Sequence, residues 1–207
     1  MSSLSDQKEI EKIKKGAVFV YPNDTVYSLG VSAANAKGIK KIFKIKGRGT
    51  LKAISVAVDS LKQARRIARF NKLALRIWRE FMPGALTIVL PLRAELRKKT
   101  NWRLLTGGTH KIGIRLPDHP WPLQIVKKLD GPITATSANV SGQPNCYTVL
   151  EVMAQFKKRK QKPDIFIDGG RLKRGRISTV VDLTGPEIKI LRQGSIPAKQ
   201  ILKVTNA

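Results

Sequence analysis

The chain has 207 residues, enough for one sizeable core, and its 42% hydrophobic content is ordinary for a soluble globular protein. Lysine and arginine number 40 against 14 aspartates and glutamates, a net charge of +26 that draws polyanions: RNA, DNA, nucleotides or an anionic membrane surface. No apolar run is long enough to cross a bilayer, the N-terminus has no signal-peptide core, and the single Cys146 excludes an internal disulfide or a cysteine zinc cluster, so a cytosolic protein is expected.

Residues 5–15 read as a short helix, with Asp6, Glu9 and Glu11 early and Lys14 and Lys15 late, matching the helix dipole; Gly16 ends it. AVFVY at 17–21 is a buried strand that Pro22 stops, and Asn23, Asp24 and Thr25 form a polar loop suited to capping the next element. Residues 36–43 are helical, with Ile39, Ile42 and Phe43 on one face, and residues 44–49 form a basic, glycine-punctuated loop. A strand over 54–58 precedes two helices, 60–70 and 73–82, the second burying Trp78 and stopped by Pro83 and Gly84. LTIVL at 86–90 is a buried strand, residues 93–103 are basic and irregular, and 106–109 is a glycine turn. IGIRL at 112–116 is a strand whose Arg115 is either paired in the core or facing a ligand anion. His119, beside Pro120, is a turn or capping residue, and a helix over 122–129 follows. PITATSANVSGQP at 132–144 begins as a strand and breaks into a small polar loop. A helix over 148–156, a strand over 165–167 and a hairpin of 179–183 with 188–191 complete one mixed α/β domain without repeats.

Three signals carry chemistry. Lys46 and Arg48 straddle a glycine, so two cations can converge on one anion. Ser137 and Asn139 place donors at a strand end, where open α/β sheets hold ligands. Arg115 and Arg192 each close a strand beside a turn. There is no GxxxxGK[ST], GxGxxG or HExxH, and the carboxylates are too scattered for a paired-carboxylate hydrolase. Cations and donors without an evident base suit catalysis by positioning and charge neutralisation, as in nucleotidyl transfer.

PNDTVYSLG (22–30), KIKGR (44–48), PGALTIVL (83–90), IGIRLPDHP (112–120), ATSANVSG (135–142), STVVDL (178–183) and ILRQG (190–194) together resemble the YrdC-like family in order and spacing. The resemblance spans about residues 8–195. It implies a twisted open mixed sheet flanked by helices around a large basic cavity. It also implies threonylcarbamoyl-AMP synthesis from L-threonine, bicarbonate and ATP, with Mg2+ carried by the ATP phosphates. By the same resemblance Lys46, Arg48, Ser137 and Asn139 hold the ATP phosphates, and Lys52, Asn145, Ser178 and Arg192 line the nucleotide site. Thr25 and Tyr27 meet threonine and Arg115 its carboxylate. The product serves tRNA modification, so tRNA and separate transfer proteins are expected partners, and the extra C-terminal domain of the long family form is not expected. Asn23 stands where the family has Thr, Ser28 where it has Gly, Gly49 where it has Pro, and Ala57 where longer relatives have His. Two other readings remain open: an RNA-binding or ribosome-associated module without the chemistry, and a carbamoyltransferase relative.

Overall fold

The structure, a computed structural model, describes residues 7–204, so Ser5 and Asp6 of the expected first helix lie outside the described residues. The first third of the chain holds α1 (Gln7–Lys14), β1 (Phe19–Tyr21), β2 (Ser28–Gly30), α2 (Ala36–Lys46), β3 (Val56–Ala57) and α3 (Leu61–Ile67). Then come α4 (Lys72–Phe81), β4 (Leu86–Pro91), α5 (Ala94–Arg97), α6 (Thr100–Thr106), β5 (Lys111–Arg115) and α7 (Pro120–Leu129). The last third holds β6 (Ile133–Thr134), β7 (Thr136–Ser137), α8 (Val149–Phe156), β8 (Ile165–Phe166), β9 (Thr179–Asp182), β10 (Lys189–Arg192) and α9 (Ala198–Lys203).

The expected open mixed sheet is present as two sheets flanked by helices. One runs β7-β2-β1-β8 and the other β10-β9-β4-β5-β3-β6, each with parallel and antiparallel neighbours. Within the longer sheet β4 is parallel to β9 and antiparallel to β5. The N-terminal ends of β4 and β9 therefore share one edge with the C-terminal end of β5.

Several boundaries differ from the expectations, each for a local reason. The helix expected over 36–43 continues to Lys46, because Gly47 adopts the left-handed C-cap (φ 62°) that closes a helix and Asn35 caps the other end through Gly38 N. Lys46 is thus a last-turn helical residue, not a loop residue. Residues 93–103 are not irregular: α5 and α6 form there, α6 burying Trp102 and Leu105 beneath the basic surface. The loop at 23–25 caps no helix, since a strand, β2, follows it; Asn23 Oδ1 instead accepts from Asp24 N. His119 caps α7, its Nδ1 accepting from Trp121 N, and Trp78 is core.

The stretch 132–144 divides most informatively. Ile133 and Thr134 pair with β3 in the longer sheet, while Thr136 and Ser137 pair with β2 in the shorter one. The chain changes sheets at Ala135, whose N–H bonds Ser55 O. A single run of strand-forming residues therefore links the two sheets and delivers Ser137 to the space between them.

Candidate anion-binding site

A cavity of about 200 Å3 is lined from both sheets, by Thr25, Ser28, Thr136 and Ser137 on one side and Ser55, Thr87, Arg115, Ser178 and Arg192 on the other, with Arg48 beside them. Three guanidinium groups and a row of hydroxyls make this wall polar. Asp24 pairs with Arg115 at 2.5 Å, whereas among the described residues Arg48 and Arg192 make no ion pair. Burial lowers the pKa of both arginines, and the charge of Arg115 lowers Arg192 further. The cavity is short of negative charge, which a bound anion would supply.

Arg115 is 5% exposed and held on three sides: Nε donates to Gly84 O (3.2 Å), Nη1 to Thr25 Oγ1 (3.1 Å) and Nη2 to Asp24 Oδ1 (2.5 Å). Both alternatives for this residue therefore hold at once. It is paired in the interior and it faces the cavity, with two of its five N–H donors left over. At the other end Arg192 clamps Ser178, Nε and Nη2 both donating to Ser178 O and Nη2 also to Ser178 Oγ (3.0 Å), which lies 3.1 Å from Thr87 Oγ1. Arg48 Nη2 donates to Ala53 O (3.0 Å), while its buried Nε has no hydrogen-bond partner.

Lys46 and Asn139 stand behind this wall. The Lys46 ammonium is 2% exposed and donates to Ser137 O (2.5 Å), Asn139 O (2.9 Å) and Asn139 Oδ1 (3.0 Å), which uses all three of its N–H groups. Burial first, then the neighbouring Arg48 charge, pushes its pKa down to about 7. Asn139 Oδ1 also accepts from Ser137 Oγ (2.6 Å), and Asn139 Nδ2 donates to Gln143 O (2.6 Å). Of the four residues expected at the phosphates, Arg48 and Ser137 line the cavity, and Lys46 and Asn139 fix the loop that carries Ser137.

The remaining candidates separate. Tyr27 is fully buried and lines a different region: its hydroxyl donates to Gly170 O (2.8 Å) and accepts from Gly169 N (2.9 Å), holding the 168–170 turn. Lys52 is exposed and Asn145 half-buried, neither on the cavity wall. Residues the sequence left unassigned do line it, among them Ser55, just before β3, and Thr87 of β4. Asn23 and Ser28 touch each other in the same wall, Asn23 Nδ2 donating to Ser28 Oγ (3.4 Å).

Fold and site define an α/β protein with an arginine-lined cavity at its strand ends. The chain belongs to the Sua5/YciO/YrdC family, whose model, described as telomere recombination, matches residues 11–194. A threonylcarbamoyl-AMP synthase of Pyrococcus abyssi is 34% identical over 193 residues, covering 93% of this chain but 54% of that protein, so the chain spans about half its length. The structure of P. abyssi Sua5 complexed with L-threonine superposes with a TM-score of 0.86 at 33% identity, covering 95% of this chain and 56% of that one. Escherichia coli YciO superposes with a TM-score of 0.81 at 25% identity, covering 94% and 91%. Among the described residues no helix is long and apolar enough to cross a membrane.

Proposed function

We propose that this chain synthesises threonylcarbamoyl-AMP, acting in the cytoplasm. The observation that carries the reading is the convergence of Arg48, Arg115, Arg192 and the Ser137 and Ser178 hydroxyls on one cavity, in a family where a relative is described in complex with L-threonine. The threonine amine and bicarbonate condense to a carbamate and water. A carbamate oxygen then attacks the α-phosphorus of ATP and pyrophosphate leaves. The two unused N–H groups of Arg115 face the threonine carboxylate, with Thr25 holding the guanidinium in place. Arg48 and Arg192 offset charge on the triphosphate, and Ser137 donates beside them. The described residues contain no group of three or more His, Cys, Asp or Glu suited to a resident metal. Mg2+ would enter with the nucleotide substrate, carried by its phosphates. Transfer of the product to tRNA is assigned to separate proteins.

Mixing the chain with ATP, L-threonine and bicarbonate is expected to release pyrophosphate and form threonylcarbamoyl-AMP. Pyrophosphate release that ignores the omission of threonine would sink the reading.

A further inference from the structure

Asn23 and Ser28 are 1% and 4% exposed and both line the cavity, yet the bonds that hold them are long. Asn23 Nδ2 donates to Ser28 Oγ at 3.4 Å, and Ser28 Oγ donates to Val26 O at 3.3 Å. Both distances lie beyond the usual range of about 2.7–3.2 Å, so two buried polar groups keep hydrogen-bonding capacity in reserve. The orientation of the carboxamide is fixed. Asp24 N can only donate and meets Asn23 Oδ1 (3.0 Å), so the amide nitrogen faces Ser28. One of its two N–H groups makes the long contact with Ser28, and the second is left over.

Ser28 is the complement. Its oxygen has two lone pairs, and Asn23 takes one. Tyr21 stands beside it in register across β1 and β2, but the single phenolic proton goes to Thr134 O (3.1 Å), which leaves none for Ser28. The pair therefore presents one N–H and one lone pair side by side. A hydroxyl accepts one hydrogen bond and donates another, so it satisfies both. A methyl satisfies neither, and an ammonium or a carboxylate satisfies one.

We propose that Asn23 and Ser28 form a subsite that reads the β-hydroxyl of the amino-acid substrate and sets this chain's selectivity against aliphatic isosteres of threonine. The proposal rests on the synthase reading for an amino acid with its carboxylate at Arg115. Asp24 and Thr25, which hold Arg115, follow Asn23 directly in the chain. On the other side Ser28 pairs in register with Ser137 across β2 and β7, roughly 5 Å between Cα atoms, and such neighbours share a face. An amino acid anchored on Arg115, Asn23 and Ser28 thus has Ser137, at the phosphate side, as its next neighbour. Val26 and Ala135, also on the wall, give the γ-methyl an apolar contact. Both members of the pair depart from the family pattern of Thr and Gly, so this selectivity belongs to the chain's own residues. Valine in the same place would seal an N–H and a lone pair away from water without partners. Apolar walls separate such isosteres by only about 100-fold, whereas a site that hydrogen-bonds the hydroxyl rejects the analogue by about 10,000-fold.

The test is amino-acid-dependent pyrophosphate release with threonine, serine, valine and allo-threonine, for the parent, S28A and S28G. Calorimetry without ATP gives the affinities for threonine and valine. The parent is expected to favour threonine over valine in kcat/KM by about 10,000-fold, and to reject allo-threonine, whose methyl and hydroxyl are exchanged, alongside valine. Serine, which lacks just the methyl, should fall by about 10–200-fold. S28A removes the lone pair and should bring the threonine-to-valine ratio to about 100-fold, mostly through threonine. S28G, the family's own residue, should do the same and carries the test where S28A does not fold. A parental ratio of about 100-fold or less, or a ratio unchanged in the variants, would overturn the proposal. So would equal losses for threonine and valine, the outcome of a merely structural role. Threonylcarbamoyl-AMP synthesis with a ratio indifferent to Ser28 removes the subsite and leaves the synthase reading standing. A Ser28-dependent preference for threonine in calorimetry, without pyrophosphate release, does the reverse. A chain that binds neither amino acid overturns both.

Discussion

Replacing Asn139 with alanine separates a loop that is built for the cavity from one that is merely a turn. The side chain accepts from the Lys46 ammonium and from Ser137 Oγ, and it donates to Gln143 O. Truncation takes one of three oxygens from a buried ammonium, worth about 1.5–3 kcal/mol for a bond to a charged group, and removes two neutral bonds worth about 1 kcal/mol each. A total of about 3.5–5 kcal/mol stays within the roughly 5–15 kcal/mol by which domains of this kind are stable, so the variant folds. For a chain of this size the melting temperature should fall by about 7–20 °C. Ser137 loses its acceptor and the loop shifts, and a displacement of about 1 Å in a positioning group can cost on the order of 100-fold in rate. Thermal melts alongside threonine-dependent pyrophosphate release measure both effects. Asn139→Asp, which keeps the acceptor oxygen and loses the donor to Gln143, should retain most of the stability. An alanine variant with parental melting temperature and parental turnover would refute the reasoning, since neither the ammonium nor the serine would then depend on Asn139.

Thr25→Val removes the hydroxyl that accepts from Arg115 Nη1. Its KM for threonine should rise about tenfold with the KM for ATP unchanged, as expected for one bond to a charged group; an equal rise in both would place Thr25 outside the threonine end. Gly47 has φ 62° and an added Cβ would lie 2.8 Å from Arg159 Nη2, so Gly47→Ala should cost about 1–2 kcal/mol and lower the melting temperature by about 2–8 °C. No shift on melting would show that the left-handed cap is unstrained by a side chain. Lys46 has its pKa lowered to about 7 in the folded chain against 10.5 in the unfolded one, so between those values the unfolded state binds more protons. Its contribution to stability therefore rises with pH across that window. Denaturant midpoints of the parent minus those of Lys46→Met should rise from pH 7 to pH 9, and a flat difference would contradict the lowered pKa.

Residues whose role follows from neighbours close in sequence are legible without coordinates. Pro22 stops a strand, His119 caps a helix, and the hairpin of β9 and β10 follows from two β-branched runs around a turn. Where the local signal is weak or obscured, the sequence misleads. Helix α6 is hidden because its two buried side chains, Trp102 and Leu105, lie in a short window crowded with lysine and arginine. Strand β2 escapes a reading by pattern because three residues give no period, and its hydrogen bonds come from β1 and β7. Tyr27 lies two residues from Thr25 in sequence, but the chain bends over residues 24–26 before β2 begins, so the two side chains do not share a face as strand residues two apart would. One reaches Arg115 and the other the 168–170 turn.

By itself the sequence determined the kind of chemistry available: an excess of cations, hydroxyls and a carboxamide at strand ends, and no nucleophile or base motif. Those follow from residue type, which needs no coordinates. Tertiary structure alone decided which of these groups meet. Arg48, Arg115 and Arg192 are far apart along the chain and converge only because the two sheets are joined through Ala135 and β4 runs beside both β5 and β9. The same folding placed Lys46 behind Ser137, where its ammonium orders the loop, and set Ser28 across from Ser137. Strand pairing between distant segments fixes those distances, and no local pattern encodes them.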